Sequence, residues 1–402
     1  MTTLKALLFP ERAKELALLL DIGSGSVGGA LVLFQEREKP FVLYVDREPI
    51  TIATKVNLDR LINNKKNALA SVLQKIIKNG LPEVHRSISR RINVKNVFAV
   101  FSAPWQASES LVVNIKGGNP TVVTLDLLEK VIKEQAVRFE KDPSFEHEPV
   151  EVVEKRIIDV SLNGYHVNYM YQKAATELSF TIFLSSVPKR ILRELRSALG
   201  KSFHLKNIFA HSFTLTNFAV IRDMFGSTSN FLFIDVTGEA TEVSLVKKGV
   251  LLKTASFPLG RNFIIRKIAE AFSVTPNIAR SLISLYSKEA IHEDFKSKFK
   301  KALEEARRDW VEVWRNTTVG ISHGLILPET VFLTIDKDVE KIFSDWLSNE
   351  HFEQFGATKS SFKVLQLDDA NLRHFCGWGK NTVYDPFLII ESIFLNKVSN
   401  QK

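Results

Sequence analysis

The sequence predicts an α/β protein with two lobes, because one pattern of strand, turn and strand occurs twice. Residues 16–34 read as a buried strand, a small polar turn rich in glycine and a second apolar strand, and residues 231–246 repeat that order. Asp21 ends the first strand of one copy, and Asp235 ends that of the other. Backbone N–H groups in such turns can surround phosphate oxygens. Two copies far apart in the chain therefore predict two lobes that each offer one turn to a shared ligand.

A single turn of this kind is weak evidence for a binding site. A tight hairpin with a solvated aspartate explains either copy on its own. Read as a site, an aspartate at the strand end could hold a metal-bound water beside the phosphates. The prediction of a site therefore rests on the presence of both copies.

The two turns also carry a resemblance to a known family. DIGSGSV, residues 21–27, looks like the first phosphate motif of the actin-like ATPases, and DVTGEATEV, residues 235–243, looks like the second. Within that superfamily the chain resembles the branch formed by the pilus-assembly protein PilM and the division protein FtsA. The resemblance implies an actin-like (ribonuclease H-like) two-lobed α/β fold with an inserted module of strand, helix and three strands.

The resemblance assigns roles to individual residues. It implies ATP and Mg²⁺ as cofactors, with Asp21 and Asp235 holding Mg²⁺ through water and Gln106 placing a water. A solvated loop glutamine is the alternative for Gln106. The candidate catalytic residues are therefore Asp21, Gln106 and Asp235, and the candidates for binding the nucleotide are Gly23, Ser24, Gly25, Ser26, Thr237, Gly238, Thr241 and Thr334.

The chain also departs from the family pattern around the nucleotide. In place of the usual glycine pair it has Ile335 and Asp336, which bring a branched side chain and a negative charge to the triphosphate, and Lys337 is expected to offset that charge in part. Residues 278–283 lack the glutamate and lysine that hold the adenosine, and Gly28 stands where the pilus branch tends to have a lysine. These departures leave ATP binding open and predict weak or absent hydrolysis.

The order of elements predicts how the chain divides. The predicted parts are a short helix or arm (1–14), the first lobe (1–105, continued by 188–228 and a C-terminal helix within 385–402), the inserted interaction module (106–187) and the second lobe (229–384, with a helical subdomain at about 261–320).

Turn signals organise the predicted inserted module. Residues 117–120, GGNP, read as a turn, and a helix is expected over 125–139. Asn163 and Gly164 give the strongest short hairpin signal in the chain. A module of this kind at the edge of the nucleotide fold suits protein–protein contact rather than chemistry.

A long helix predicted over about 288–314 carries an apolar stripe. A core-facing helix is the favoured reading, and a partner-binding face is the alternative. The stripe consists of Phe295, Phe299, Ala302, Leu303, Ala306, Trp310 and Trp314.

The composition fits a globular protein of a reducing compartment. Hydrophobic residues make up 45% of the 402 residues, and the formal charge is +9 at pH 7, which permits contact with anionic membranes or acidic partners. Nucleic acid is not expected, because no basic run is interleaved with aromatic residues. The single cysteine, Cys376, allows no internal disulfide, and with His374 it lacks the second pair of a zinc site. No run approaches the roughly 18 apolar residues of a membrane span.

The resemblance implies a cytoplasmic scaffold at the inner face of the cell membrane, nearer PilM than FtsA. The expected partner is the cytoplasmic tail of a bitopic membrane protein, bound by the inserted module, with indirect membrane contact and self-association as a further possibility. FtsA is expected less, because it carries a membrane-targeting helix after a long linker and this sequence ends soon after Leu395. Two further hypotheses are an enzyme like the sugar and acetate kinases, and a pseudo-ATPase that keeps only the fold.

Overall fold

Two large sheets and one smaller sheet make up the fold. The computed structural model describes residues 14–89, 92–203, 208–350, 361–380 and 382–399, so the arm predicted for residues 1–14 lies, Lys14 apart, outside the described residues. The described strands are β1 (Lys14–Ile22), β2 (Ser26–Gln35), β3 (Phe41–Pro49), β4 (Val94–Phe101), β5 (Ala107–Val122), β6 (Val150–Leu162), β7 (Tyr165–His166), β8 (Ala174–Pro188), β9 (Ile208–Ser212), β10 (Phe231–Val236), β11 (Thr241–Lys247), β12 (Val250–Phe257), β13 (Thr330–Ile335), β14 (Lys363–Gln366) and β15 (Gly377–Trp378).

Helices cover the faces of these sheets. A π-helical turn (Ile76–Gly80) joins the first two helices, and a short 3-10 turn (Pro143–Phe145) follows the third. The described α-helices are α1 (Leu58–Lys75), α2 (Leu81–Ser87), α3 (Leu125–Glu140), α4 (Lys189–Phe203), α5 (Phe213–Met224), α6 (Arg261–Phe272), α7 (Pro276–Ser287), α8 (Glu293–Ser322), α9 (Glu340–Ser348), α10 (Asp369–Leu372) and α11 (Pro386–Ser399).

The two large sheets share one topology. The first has the order β15-β3-β2-β1-β4-β9 and the second the order β12-β11-β10-β13-β14. In the first, β1 pairs antiparallel with β2 and parallel with β4; in the second, β10 pairs antiparallel with β11 and parallel with β13. The carboxyl ends of β1 and β10 therefore occupy equivalent places, and the predicted two-lobed α/β fold is confirmed.

Strand β1 is buried on both faces, which explains its unbroken apolar sequence. Leu18 and Leu20 pack in the core that contains α1, while Ala17 and Leu19 pack in the core that contains α11. The C-terminal helix α11 thus closes the first lobe from the far side of the sheet and brings its first turn to the end of β1.

The inserted module is a third sheet with the order β5-β8-β6-β7, and α3 packs on it. The hairpin predicted at Asn163 and Gly164 is confirmed, because both residues have the positive φ angles, 49° and 82°, that such a turn requires. The turn predicted for residues 117–120 is wrong. Lys116 pairs with Glu177 and Thr121 with Ala175, so these four residues bulge out of one continuous strand, β5.

A buried carboxylate fixes the module to the first lobe. Glu154 of β6 accepts hydrogen bonds from the hydroxyl of Ser185 at 2.7 Å and from the backbone N–H of Ser212 at 2.9 Å, and its other oxygen lies 3.0 Å from Nδ1 of His211. Burial raises the pKa of Glu154, but hydrogen bonds and the nearby His211 outweigh burial and lower the pKa. Within the described part of the chain every member of this cluster is buried, so it is a structural joint.

The apolar stripe of the long helix faces the core, as favoured. Helix α8 is longer than predicted, and the stripe residues are buried except Phe295, which is 48% exposed. Trp310 stacks on Trp314 with ring centroids 5.9 Å apart. The alternative of a partner-binding stripe is therefore wrong. Among the described helices, none combines the length and apolar character needed to cross a bilayer.

Gly29 of β2 gives a test of the packing between the first sheet and α1. A Cβ atom at Gly29 would lie 2.5 Å from Cγ1 of Val72 and 2.6 Å from Cδ1 of Ile76. We expect Gly29→Ala to lower the free energy of unfolding by about 1–3 kcal/mol, because the helix must shift outward. Chemical denaturation measures this.

The matched control is Gly200→Ala on helix α4, where a Cβ atom meets no other atom within 4 Å. This change should be neutral or stabilising by up to about 1 kcal/mol. Equal stability of both variants would contradict the described packing of α1.

Candidate functional site

Both predicted aspartates lie in the cleft between the two large sheets. Asp21 stands near the carboxyl end of β1 and Asp235 near that of β10, so the shared topology brings them to equivalent positions. Both are buried, with 4% and 2% of their surface exposed. They line one cavity, together with Gly23, Gly25, Ser26, Thr237 and Gly238 among the predicted residues.

The two turns touch each other across the cleft. A Cβ atom at Gly238 would lie 2.4 Å from the backbone N of Gly25, so the second turn has no room for a side chain at this position. Ser24 Oγ accepts a hydrogen bond of 2.8 Å from the backbone N–H of Glu239 and lies 3.0 Å from Oγ1 of Thr237. The hydroxyl predicted to contact a phosphate thus contacts the opposite turn.

The space that remains is too small for a nucleotide. The cavity between Asp21 and Asp235 has a volume of about 30 Å³. Pockets that hold small molecules usually have roughly 300–1,000 Å³. In this arrangement the residues of the cleft do not fit ATP.

A guanidinium group lies on the aspartate predicted to hold Mg²⁺. Arg47 of β3 contacts Oδ2 of Asp21 at 2.7 Å through Nη2, and its Nε contacts Oδ2 of Asp385 at 2.6 Å. Its Nη1 also donates a hydrogen bond of 2.8 Å to Oγ of Ser26. The ring of Phe387 covers the group, with its centroid 5.4 Å from Cζ. Two candidates for nucleotide contact, Asp21 and Ser26, are therefore engaged by one arginine of the same chain.

The C-terminal helix adds a further acid beside this pair. Burial raises the pKa of Glu391 well above its usual value, and the charge of Asp21 adds to the rise. Burial likewise raises the pKa of Asp21, while the Arg47 guanidinium opposes that rise. Arg47 is thus shared by Asp21 and Asp385, while the raised pKa of Glu391 favours the uncharged form of the third carboxyl group.

Asp235 is held by its own lobe. Thr334 Oγ1 donates a hydrogen bond of 2.9 Å to Oδ1 of Asp235. Burial and the charge of Glu242, its cross-strand neighbour, raise the pKa of Asp235 well above its usual value. Thr334, predicted to contact the nucleotide, is therefore used to position a carboxyl group.

Gln106 is buried, so the alternative of a solvated loop glutamine is wrong, and its role in placing a water stays a prediction. It is only 6% exposed, and its Nε2 donates hydrogen bonds to Thr214 Oγ1 at 2.9 Å and to Glu242 Oε2 at 2.6 Å. Thr214 also donates to Glu242. Gln106 therefore joins the base of the inserted module to both lobes, because burial of the Glu242 carboxylate demands hydrogen-bond donors.

The phosphate contact of Thr241 stays a prediction, and its hydroxyl has other partners in this structure. Its hydroxyl donates to the carbonyl oxygen of Leu259 at 2.7 Å and lies 3.2 Å from Nε1 of Trp310. The first residue of β11 thus points into the second lobe, because Trp310 of α8 needs a buried acceptor for its indole N–H.

The side of the cleft predicted to hold adenosine is bridged by salt bridges. Arg261, at the start of α6, pairs with Asp336 and, at 3.0 Å, with Oδ2 of Asp338 in the loop after β13. Lys337, expected to offset the charge of Asp336, instead lies over the ring of Tyr384 with Nζ 4.9 Å from its centroid. The compensating cation is Arg261, which the sequence did not indicate.

Comparison with known proteins identifies the fold. No protein-family model matches the sequence, and no curated protein matches it. A solved PilM–PilN type IV pilus biogenesis complex is similar over 97% of this chain and 99% of its own, with 13% identity and a TM-score of 0.57. The fold is that of the actin-like ATPases.

Two more distant structures are similar over most of this chain. A protein of actin-like ATPase fold from Bacteroides thetaiotaomicron has 12% identity, covers 89% of this chain and 94% of its own, and gives a TM-score of 0.39. The ethanolamine utilization protein EutJ from Carboxydothermus hydrogenoformans has 12% identity, covers 96% and 90%, and gives 0.40.

The residues that fill the actin-like cleft were not predicted from the sequence, although the glycine at position 28 is a sequence feature that indicates one of them, Arg47. Arg47 pairs across the sheet with Gly28, and a Cβ atom at Gly28 would lie 2.6 Å from Nη2 of Arg47. Gly28 is the position where the pilus branch tends to have a lysine. Glycine in place of that lysine therefore leaves the space that the guanidinium group of Arg47 occupies.

Glu242 predicts how stability depends on pH. Burial raises its pKa from 4.5 to about 7, although Thr214 and Gln106 oppose the rise. A carboxyl group with a raised pKa stabilises the fold while it is protonated, and that contribution is lost as pH rises from about 4.5 through about 7. Between pH 5 and pH 8 the wild type should lose about 3 kcal/mol relative to Glu242→Gln, as measured by chemical denaturation at each pH.

The matched control is Glu129→Gln on the exposed face of α3. Its free energy of unfolding should change between pH 5 and pH 8 by the same amount as that of the wild type. If the free energies of unfolding of the wild type and Glu242→Gln differ by the same amount at pH 5 and pH 8, the pKa of Glu242 is not raised by burial.

Proposed function

We propose that this chain is an actin-like scaffold whose lobes are held closed by protein contacts in place of a bound nucleotide. The observation that carries the proposal is the backbone contact of Gly25 with Gly238, where the cleft has no room for a triphosphate. A bound nucleotide would have to separate these two turns. Of the readings that the resemblance leaves open, the pseudo-ATPase accounts best for this geometry.

In this proposal side chains take the place of ATP and Mg²⁺. Arg47 supplies the positive charge beside Asp21, and the hydroxyl of Ser24 supplies a contact to the second turn. Arg261 pairs with Asp336, which the resemblance places beside the triphosphate. A sugar or acetate kinase activity is disfavoured because it needs an open nucleotide pocket.

The partner that we propose is the cytoplasmic tail of a bitopic membrane protein, bound by the inserted module. Strand β5 stands at the end of its sheet, so its outer edge can accept an extended peptide as a further strand. The module also exposes large apolar side chains, which mark interaction surfaces when they occur together. They are Val112, Val122, Leu125, Val137, Tyr165 and Tyr169.

The resemblance to PilM supports placing this scaffold in the cytoplasmic, membrane-peripheral platform of a type IV pilus machine. An FtsA-like division role shares the fold and the inserted module. The identity of the tail that binds separates these two roles. The same β5 edge could also mediate self-association.

Gly238→Ala tests whether the lobes are closed in solution. The new Cβ atom would lie 2.4 Å from the backbone of Gly25, so a closed protein must move two rigid turns apart. We expect a loss of about 1–3 kcal/mol in the free energy of unfolding and a larger radius of gyration in small-angle X-ray scattering.

Gly226→Ala is the control, because its Cβ atom meets other atoms only at ordinary contact distance, 3.7 Å. Millimolar ATP with Mg²⁺ should also leave the unfolding temperature of the wild type unchanged. A nucleotide that did bind, at about 100 times its Kd, would raise the free energy of unfolding by roughly 2.7 kcal/mol. The closed-cleft proposal is contradicted if Gly238→Ala leaves the free energy of unfolding unchanged, or if ATP clearly raises the unfolding temperature of the wild type.

Val112→Asp tests the proposed partner surface. Val112 is 56% exposed on β5, so the change should leave the fold intact but place a charge on the interface. The probes are synthetic cytoplasmic tails of the bitopic membrane proteins encoded beside this chain. We expect one tail to bind and its affinity to fall about tenfold in Val112→Asp, measured by fluorescence anisotropy.

Val56→Asp is the control, because Val56 is 62% exposed outside the inserted module. If both variants lose the same affinity for the tail, or if the tail binds Val112→Asp as tightly as the wild type, the inserted module is not the docking surface.

A further inference from the structure

An apolar groove of the first lobe lies between helices α1 and α4, away from the cleft. Its volume is about 710 Å³, and no residue of the inserted module lines it. The floor is apolar and includes Leu69, Leu73, Leu195 and, at the ends of β1 and β4, Ile22 and Phe101. The size falls in the usual range for ligand pockets.

The rim of this groove is strongly basic. Five of the lining residues are cations and one, Glu194, is an acid; the cations are Lys65, Lys66, Lys78, Arg193 and Lys201. In the part of the chain that the structure describes, Lys65 alone among the five has an ion pair, and its Nζ lies 3.4 Å from Oε2 of Glu194. The groove therefore carries an excess of positive charge around an apolar floor.

Lys65 is an unusual lysine, because only 3% of it is exposed. Its Nζ lies 5.1 Å from the centre of the Trp105 ring, and burial lowers its pKa. Arg190 also contacts Glu194, at 3.5 Å, and lies 3.6 Å from Oδ1 of Asp59. A carboxylate entering the groove would give the buried ammonium group of Lys65 a second acidic partner.

The π-helical turn at the end of α1 shapes one side of the groove. It contributes Ile77, which is 38% exposed, and Lys78. Such single-turn irregularities interrupt α-helices most often at functional sites. An exposed isoleucine beside a lysine suits an amphipathic occupant.

We propose that this groove binds a short amphipathic segment of a partner protein, with apolar side chains on the floor and carboxylates at Lys65 and the basic rim. The chemistry is that of helix-in-groove recognition, with charge complementarity setting orientation. A flat anionic membrane is disfavoured, because the apolar floor is recessed and cannot enter a bilayer. This site goes beyond the tail contact proposed for the inserted module.

A displayed library of random peptides, about 15 residues long, tests the proposal on the full chain. The wild type is the target, and the rim variant Lys66→Glu with Lys201→Glu is used for counter-selection. We expect enriched peptides that combine apolar and acidic residues. Synthetic copies should bind the rim variant about tenfold more weakly, and the difference should shrink at high salt.

Lys301→Glu, an exposed charge reversal on α8, is the matched control and should leave binding unchanged. Lys65→Met, which keeps the length of the side chain, should also weaken binding severalfold. Val112→Asp should have no effect on these peptides, so a failure of the module proposal and a failure at the groove are distinguishable.

Three outcomes would overturn the groove proposal: no peptide is lost on the rim variant, the enriched peptides are basic, or vesicles with anionic lipid bind the wild type through the rim while no peptide does. The last outcome would assign the surface to a membrane.

Discussion

The closure of the cleft depends on one backbone contact, that between Gly25 and Gly238. A side chain at Gly238 would collide with backbone atoms 2.4 Å away, so the absence of a Cβ atom is what lets the lobes meet. Hydrogen bonds between Ser24 and the second turn then hold the contact in register. In an actin-like fold this is the place where phosphates would separate the turns. Here the backbone N–H of Glu239 donates to Ser24, an atom of the same chain.

Several carboxyl groups are buried in the closed cleft, and they require a cation that is part of the chain. Burying an unpaired carboxylate is costly, and a buried pair is stable only when its remaining hydrogen bonds are made. Arg47 meets this need with contacts to Asp21, Asp385 and Ser26 at 2.6–2.8 Å. The raised pKa values of Glu391 and Asp235 favour the uncharged forms of these carboxyl groups and so lower the negative charge that Arg47 has to oppose.

The sequence revealed the features of the site that are local and missed those that are not. Asp21 and Asp235 were found because a strand and its following turn are contiguous in the chain. Arg47 and Asp385 stand 338 residues apart, and no periodicity connects them. The contacts of Thr241 and Gln106 could not be found from the sequence, because their hydrogen-bond partners come from distant helices, strands and loops. The same limit explains residues 117–120, where turn composition was overridden by pairing of β5 with β8.

A closed cleft also constrains what the scaffold can regulate. A nucleotide controls a partner only if it binds two conformations with different affinity. With the lobes joined at Gly25 and Gly238 and Arg47 bound to Asp21, a nucleotide can act in this way only by opening the cleft. The outer edge of β5 and the groove between α1 and α4 then present constant surfaces, and any coupling between them must pass through protein contacts. One such path runs from Lys65 to Trp105, whose indole N–H donates to the carbonyl of Gly23 at 2.8 Å. Trp105 and Lys65 thereby link the first turn to the proposed groove.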